Sequence, residues 1–280
     1  MASHLTQHTR TTTTFTTISK HKPLSTTPKS HMTIGVLAFQ GSFNEHIAAL
    51  RRIGVKGVEI RKPEQLENVA ALIIPGGEST TMAKLAEFHN MFPPLREFVK
   101  TGKPVWGTCA GLIFLANKAF GQKAGGQELV GGLDCTVHRN FFGSQIQSFE
   151  AEVPVPLLAD QEGGPGSFRC VFIRAPAILE VGPEVEVLAE VPVPSNSVFN
   201  TNLAAYNQEA NLAPIDKVVV AVKQGNLLGT AFHPELTADS RWHSYFVKMV
   251  NDLEATSGSI VKADMNALQE PKIELPIYLP

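Results

Sequence analysis

Residues 104–114 read PVWGTCAGLIF, with Cys109 set between Gly107 and Gly111 and between an apolar run and a run of small residues. A cysteine that only packs in a core needs no glycine on either side. A strand, a tight turn and a helix with a nucleophile at the turn make a nucleophile elbow, and here G-T-C-A-G stands in that place with Cys instead of Ser. The turn is strained, and small neighbours let the chain pass while the side chain stands above the sheet edge. The amides that open the following helix face any negative charge on the sulfur. Taken alone, the pattern fits a buried, inert cysteine equally well, because free cysteine is often buried.

The stretches around the elbow have matching grammar. TIGVLAF (33–39) is a continuous apolar run of the kind found in a strand buried on both faces. QGSFNEHIAALRRIG follows. Ser42 and Glu45 suit a capping box, Ile47, Leu50 and Ile53 have helical spacing, and Gly54 suits the stop. VAALIIPGGESTTMAKLAEF (69–88) and PVWGTCAGLIFLANKAF (104–120) repeat the strand–helix order. Later, KVVVAVKQG and NLLGTAF suit a hairpin, and SRWHSYFVKMVNDLE (240–254) a closing amphipathic helix. Between them LDCTVHRN, SFEAEV, FRCVFIRA and VEVLAEV look like strands with no helix among them. The expectation is an α/β domain of three layers. Its open sheet is mostly parallel with helices on both faces, and it makes an antiparallel excursion. QEGGPGS (161–167) and residues 194–214 suit surface loops.

The chain has 280 residues, 43% of them hydrophobic, enough for a sizeable core. A net charge of -2 gives no reason to expect nucleic acid or an anionic membrane as partner. No apolar run approaches the roughly 18 residues of a membrane-spanning helix, so a soluble protein is expected. Cys109, Cys135 and Cys170 are too few for a disulfide framework and fit a reducing compartment. Residues 1–31 are rich in Thr and Ser, contain Arg10, Lys20, Lys22 and Lys29, and have no acid. They suit either a disordered organelle transit peptide or an unselected leader before a second start at Met32. The expected organisation is a leader over 1–32, one domain over 33–255 and a loose tail over 256–280.

A second motif weighs on the elbow. TAFHPEL puts His233 and Glu235 right after an apolar strand, at the edge where open α/β sheets hold ligands. Pro234 keeps His233 extended, so His233 and Glu235 point the same way and can hydrogen-bond. A carboxylate that fixes the tautomer of an imidazole is the support a Cys–His pair needs. The expected triad is Cys109, His233 and Glu235. A third motif, PGGEST (75–80), allows the amides of Gly76 and Gly77, with that of Ala110, to form an oxyanion hole, and allows Ser79 or Thr80 to cap a helix. No cysteine or histidine pair has metal-ligand spacing, and none of these turns has the lysine of a phosphate loop.

The order of cysteine elbow and His-Pro-Glu resembles the triad-type (class I) glutamine amidotransferases. GVLAFQGSFNEHI, IIPGGESTTM, GTCAGLIFLA, HRNFFGSQIQSFEAE, FIRAP and AFHPELT narrow the resemblance to the glutaminase subunits of pyridoxal 5'-phosphate synthases, from about Thr33 to Leu253. The resemblance implies that Cys109 attacks the side-chain amide of L-glutamine to give a γ-glutamyl thioester and ammonia. His233 then serves as acid and base, and Glu235 orients it. It implies glutamine contacts at Gly77, Glu78, Ser79, Arg139, Ile173 and Arg174, and a secondary role for Gln40 near the oxyanion site and the subunit contact. The residues themselves agree on the arginines, since a guanidinium suits an α-carboxylate bidentately and Glu78 suits an α-ammonium. It further implies a synthase subunit that takes the ammonia through a tunnel, no cofactor on this chain, and work in the cytosol, with a plastid as the alternative raised by the leader. Two other readings stay open: a cysteine hydrolase of related fold, and a catalytically silent subunit that scaffolds or regulates a synthase.

Overall fold

The computed structural model describes residues 32–121, 126–139, 141–142, 148–192 and 216–267. Strand β1 (Thr33–Leu37) is apolar and buried from Ile34 on, and helix α1 (Phe43–Arg52) returns the chain to β2 (Lys56–Ile60). A 3₁₀ segment (Pro63–Asn68) leads to β3 (Ala71–Ile74), followed by α2 (Ser79–Phe88) and α3 (Phe92–Lys100). The quoted elbow is β4 (Val105–Thr108), Cys109 and α4 (Ala110–Leu115). Then come β5 (Ala116–Phe120), β6 (Leu133–His138), β7 (Ser148–Pro154), α5 (Pro156–Glu162), β8 (Ser167–Ile173), β9 (Ala177–Val181) and β10 (Glu186–Pro192). The chain closes with β11 (Lys217–Gln224), β12 (Leu227–Thr230), a short 3₁₀ turn (Pro234–Leu236) and α6 (Arg241–Ala267).

The main sheet runs β2-β1-β3-β4-β12-β11-β9-β6-β5, with β10 paired to β11 off that path, and β7 and β8 form a separate antiparallel ribbon. From β2 to β12 every neighbour is parallel. Crossovers between parallel strands are right-handed, and β1 to β2 moves one way across the sheet while β3 to β4 moves the other. Helix α1 therefore lies on one face and α2 and α3 on the opposite one. Contacts agree: His46 of α1 and His243 of α6 both meet the Trp106 ring of β4, while α4 packs on α2 and β3. The core is this sheet with its two helical layers, centred on Ile34, Val36, Ile73, Trp106, Phe114 and Phe246. Order reverses at β1 and β3, so the carboxyl ends of β1, β3, β4 and β12 open on one crevice, where such sheets bind ligands.

The expected three layers and antiparallel excursion are present, with local differences. Ser42 sits at the N-cap of α1 but makes no capping bond, so the capping box with Glu45 does not form. Its hydroxyl donates to Glu235 Oε1 at 2.6 Å, a buried charge that outcompetes a backbone amide. The helix after Cys109 has six residues, not the long one expected to Phe120. From Ala116 the chain extends instead, because β5 finds a parallel partner in β6. Helix α5 stands between β7 and β8 where no helix was expected, started by Pro156 at its first position, and it takes the first two residues of the expected loop 161–167. β2, α3 and β9 were not expected. Helix α6 runs on through the expected tail to Ala267. Residues 1–31 and the expected loop 194–214 lie outside the described residues.

Candidate active site

The glycines that flank Cys109 are there for packing at the elbow. A side chain on Gly107 would strike the backbone of Gly111, and one on Gly111 would strike the Ile74 carbonyl of β3. Helix α4 thus rides directly on β3 and β4, at a distance only glycine permits. Between the two glycines Cys109 takes φ 49 and ψ -102, a conformation a non-glycine residue adopts only under constraint. Three bonds hold it there. Its amide donates to the Thr230 carbonyl of β12 at 2.8 Å, its carbonyl accepts from Ile113 at 3.3 Å, and its Sγ lies 3.8 Å from the Ile173 carbonyl.

His233 follows β12, and its amide donates to the Val171 carbonyl at 2.9 Å, which ties the β7–β8 ribbon to the sheet at this point. Its Nδ1 lies 2.8 Å from Glu235 Oε1. Burial works against a charged imidazole here, but Cys109 and then Glu235 outweigh it and hold His233 well above the ordinary histidine range. Glu235 is 4% exposed. Burial again opposes its charge, yet His46, His233 and Ser42 together bring it down to about 2. A side chain on Gly76 would collide with the His233 ring and press on the Cys109 Cβ. Gly76 is thus the floor on which the two rest.

The expected residues line one cavity of about 240 Å³: Gly77, Glu78, Ser79, Cys109, Ala110, Arg139, Ile173, Arg174 and His233, with Gln40 and Ile113. Gly76 lies one step behind it. Its carbonyl accepts from the Ser42 amide at 3.1 Å. Gln40 clasps the Glu78 backbone from both sides, donating Nε2 to its carbonyl at 3.2 Å and accepting its amide on Oε1 at 3.3 Å. Glu78, not Ser79 or Thr80, is the N-cap of α2. The two hydroxyls instead accept from Arg139 Nη2, at 2.6 Å and 3.1 Å. Arg174 has φ 46 and reaches Glu78 Oε2 at 3.1 Å. The two arginines and Glu78 therefore form one charged rim, with Arg139 Nη2 4.0 Å from Glu78 Oε1. Burial lowers Arg139 from the usual arginine value against the pull of Glu78, leaving it a cation with its Nε buried and unpartnered among the described residues.

A model of the SNO glutamine amidotransferase family matches residues 36–252. The chain belongs to that family. The amidotransferase is 69% identical to "Probable pyridoxal 5'-phosphate synthase subunit PDX2" of Arabidopsis thaliana, over 254 residues that span 88% of this chain and 100% of that protein. It is 47% identical to "Pyridoxal 5'-phosphate synthase subunit PdxT" of Acidothermus cellulolyticus, over 80% of this chain and 97% of that one. A crystal structure of a glutamine amidotransferase superposes with a TM-score of 0.62 at 41% identity, covering 78% of this chain and 98% of that chain. PurLQS from Thermotoga maritima matches at 14% identity with a TM-score of 0.52, a likeness of fold.

The sequence reading missed Ser42, His46, Thr108 and His243, which surround Glu235 and His233 from behind. Ser42 was assigned to a cap. His46 follows it by four residues and so shares its face of α1. A polar pair on an otherwise apolar helix face was the available signal. His243 had none, since only the packing of α6 over β4 brings it near.

Proposed function

We propose that this amidotransferase hydrolyses L-glutamine to glutamate and ammonia, and that it supplies the ammonia to the synthase subunit of a pyridoxal 5'-phosphate synthase. The observation that carries the reading is the union in one cavity of a strained, bonded Cys109, a His233 paired to Glu235 at 2.8 Å, and a rim of two arginines and one glutamate sized for a free amino acid. In this reading Cys109 Sγ gives its proton to His233 and attacks the amide carbon of glutamine. The charge that develops on the amide oxygen meets the amides of Gly77 and Ala110, with Gly76 supporting them from below. His233 passes its proton to the leaving nitrogen, the C–N bond breaks, and ammonia departs from a γ-glutamyl thioester. His233 then takes a proton from water, the hydroxide attacks the thioester, the C–S bond breaks, and glutamate and free thiol are left.

Glu235 keeps one tautomer of His233 throughout and balances its charge. Arg139 and Arg174 take the α-carboxylate, Glu78 the α-ammonium, Ser79 and the Ile173 backbone the rest of the backbone end, and Gln40 braces Glu78. Ammonia in open water becomes ammonium, which is a poor nucleophile, so the reading includes a closed path to the partner. The names of the relatives support the synthase as that partner. The proposed compartment is the cytosol, with a plastid as the alternative, and imaging of a full-length fluorescent fusion distinguishes the two.

The deciding experiment measures glutamine hydrolysis with and without the cognate synthase subunit, alongside labelling by a thiol-reactive glutamine analogue. Turnover with label on Cys109 supports the reading. Absence of both, in the assembled complex, points to a silent regulatory subunit, and turnover of peptides but not glutamine points to another hydrolase.

A further inference from the structure

Behind Glu235, on the side away from the cavity, lie two fully buried histidines that the glutaminase reading does not use. His46 projects from α1 and His243 from α6, and their rings meet with His46 Nδ1 3.0 Å from His243 Nε2. The other nitrogen of His46, Nε2, lies 3.1 Å from Thr108 Oγ1 and 3.4 Å from Glu235 Oε2. Glu235 Oε2 is buried and makes no hydrogen bond among the described residues, with His46 Nε2 facing it at 3.4 Å, whereas Oε1 has two partners, His233 and Ser42. Thr108 belongs to β4, immediately before the nucleophile, so one ring touches the strands that deliver both Cys109 and Glu235.

Protons can be placed on this pair by elimination. Burial takes both histidines below the ordinary range and so favours the neutral ring, the two facing nitrogens 3.0 Å apart have room for one proton between them, and a neutral imidazole has one N–H. Of the two nitrogens that face each other, one donates and one accepts. If His46 donated, its bare Nε2 lone pair would face an ionised carboxylate, and His243 would hold its proton on Nδ1, which is buried with no partner among the described residues. If His243 donates, its unpartnered Nδ1 is the bare nitrogen, and the proton of His46 sits on Nε2, between Thr108 and Glu235. Each contact then has a donor and an acceptor.

We propose that His46, with its tautomer set by His243, is a positioning residue for the triad: its Nε2–H, directed between Thr108 and Glu235, attracts the otherwise unpartnered Oε2 across 3.4 Å and so keeps Oε1 turned towards His233. The proposal rests on the glutaminase reading above. A carboxylate rotates easily about its last bond, whose energy profile is broad. Held at one oxygen only, Glu235 could swing and let His233 lose its tautomer. With two partners on Oε1 and the Nε2–H of His46 facing Oε2 at 3.4 Å, it is steadied by a buried polar chain that runs from α6 through α1 to the histidine. The groups facing His46 are Glu235 and His233 beyond β12, Thr108 on β4 and His243 on α6, with Glu45 on its own helix and Arg52 acting on His243.

The test uses the full chain in complex with its synthase subunit. Nitrogen-15 NMR of labelled histidine at neutral pH should find both His46 and His243 as Nε2–H tautomers; an Nδ1–H tautomer at His46 overturns the proposal. In kinetics, His46→Leu should lower kcat by about 10- to 100-fold, the range seen when an outer partner of a functional group is lost, with KM for glutamine little changed. His46→Gln, whose side-chain nitrogen reaches the place of Nε2, should restore most of the rate. If His46→Gln is as slow as His46→Leu, or if the loss falls on KM, His46 is only packing and the proposal fails. The two levels separate cleanly. A wild-type complex with no glutamine turnover sinks the glutaminase reading, while a wild-type complex that turns over and a His46→Leu complex equally fast sinks this one alone.

Discussion

Cys109, His233 and Glu235 stand at the carboxyl ends of β4 and β12 and are 5%, 6% and 4% exposed, whereas Glu78 and Arg174 across the cavity leave 44% and 34% of their side chains in solvent. The first group is held from several directions by backbone and buried partners. The second is held by ion pairs among its own members, which a bound amino acid can take over one at a time. Arg139 is intermediate, with 12% of its side chain exposed and two hydroxyl acceptors on α2. Water competes for the rim and not for the wall, so equal deletions should have unequal effects.

The sharpest contrast should come from Cys109→Ala. It deletes one sulfur from a turn fixed by backbone bonds, so folding and partner binding should survive. Glutamine turnover should fall by about 10⁴- to 10⁶-fold, as when other enzymes lose a nucleophile that acts within a triad. Synthesis by the complex from ammonium salt should persist, because the proposed function places that chemistry on the partner. The same variant should lower the pKa of His233 followed by NMR, since burial then faces Glu235 alone. A histidine that titrates as in the wild type would break the coupling between the two.

Glu235→Gln comes next. Loss of the charge that sets the tautomer should reduce kcat by about 10⁴-fold with geometry intact. It should also change acid stability. Glu235 is pulled from the usual 4.5 down to about 2, so its ionisation stabilises the fold fully above pH 4.5 and is lost as the pH falls towards 2. Unfolding measured across that window should be less steep in pH for Glu235→Gln than for the wild type. An unchanged slope would mean that the buried carboxylate is not what acid titrates.

At the rim the effects should be milder. Arg139→Ala and Arg174→Ala should raise KM for glutamine, by about 2 kcal/mol for the more buried Arg139 and less for Arg174, with kcat retained. Equal and large losses of kcat in both would erase the distinction between wall and rim. Smallest of all should be Cys135→Ala and Cys170→Ala, which should leave turnover nearly intact. Burial pushes the Cys135 thiol up to about 12 and raises Cys170 as well, so iodoacetamide at mildly alkaline pH should spare both in the folded protein. A chain beginning at Met32 should likewise hydrolyse glutamine with its partner at the full rate, and failure to fold would make the leader structural.

Much of the wall was legible because each of its motifs is local. An apolar strand, a turn and a short-range pattern put Cys109, then His233 and Glu235, at strand ends, and parallel strands share one end of the sheet. The hydroxyls were misread for a related reason. Ser42 and Thr80 sit where a local rule predicts caps, but a buried carboxylate claims one and a guanidinium the other, both from far along the chain. Helix α4 was drawn too long because LIFLANKAF is apolar enough for either state, and only the pairing of β5 with β6 decides it.

By itself, the sequence determined the layered α/β class, the place of Cys109 at the elbow and the pairing of His233 with Glu235, because periodicity, glycine and proline act over a few residues. Tertiary structure alone decided what lies behind that support. His46 and His243 are 197 residues apart, and Ser42 and Glu235 are 193 apart. Their meeting follows from how α1 and α6 cross the same face of the sheet, and no spacing along the chain encodes a contact that long-range packing creates.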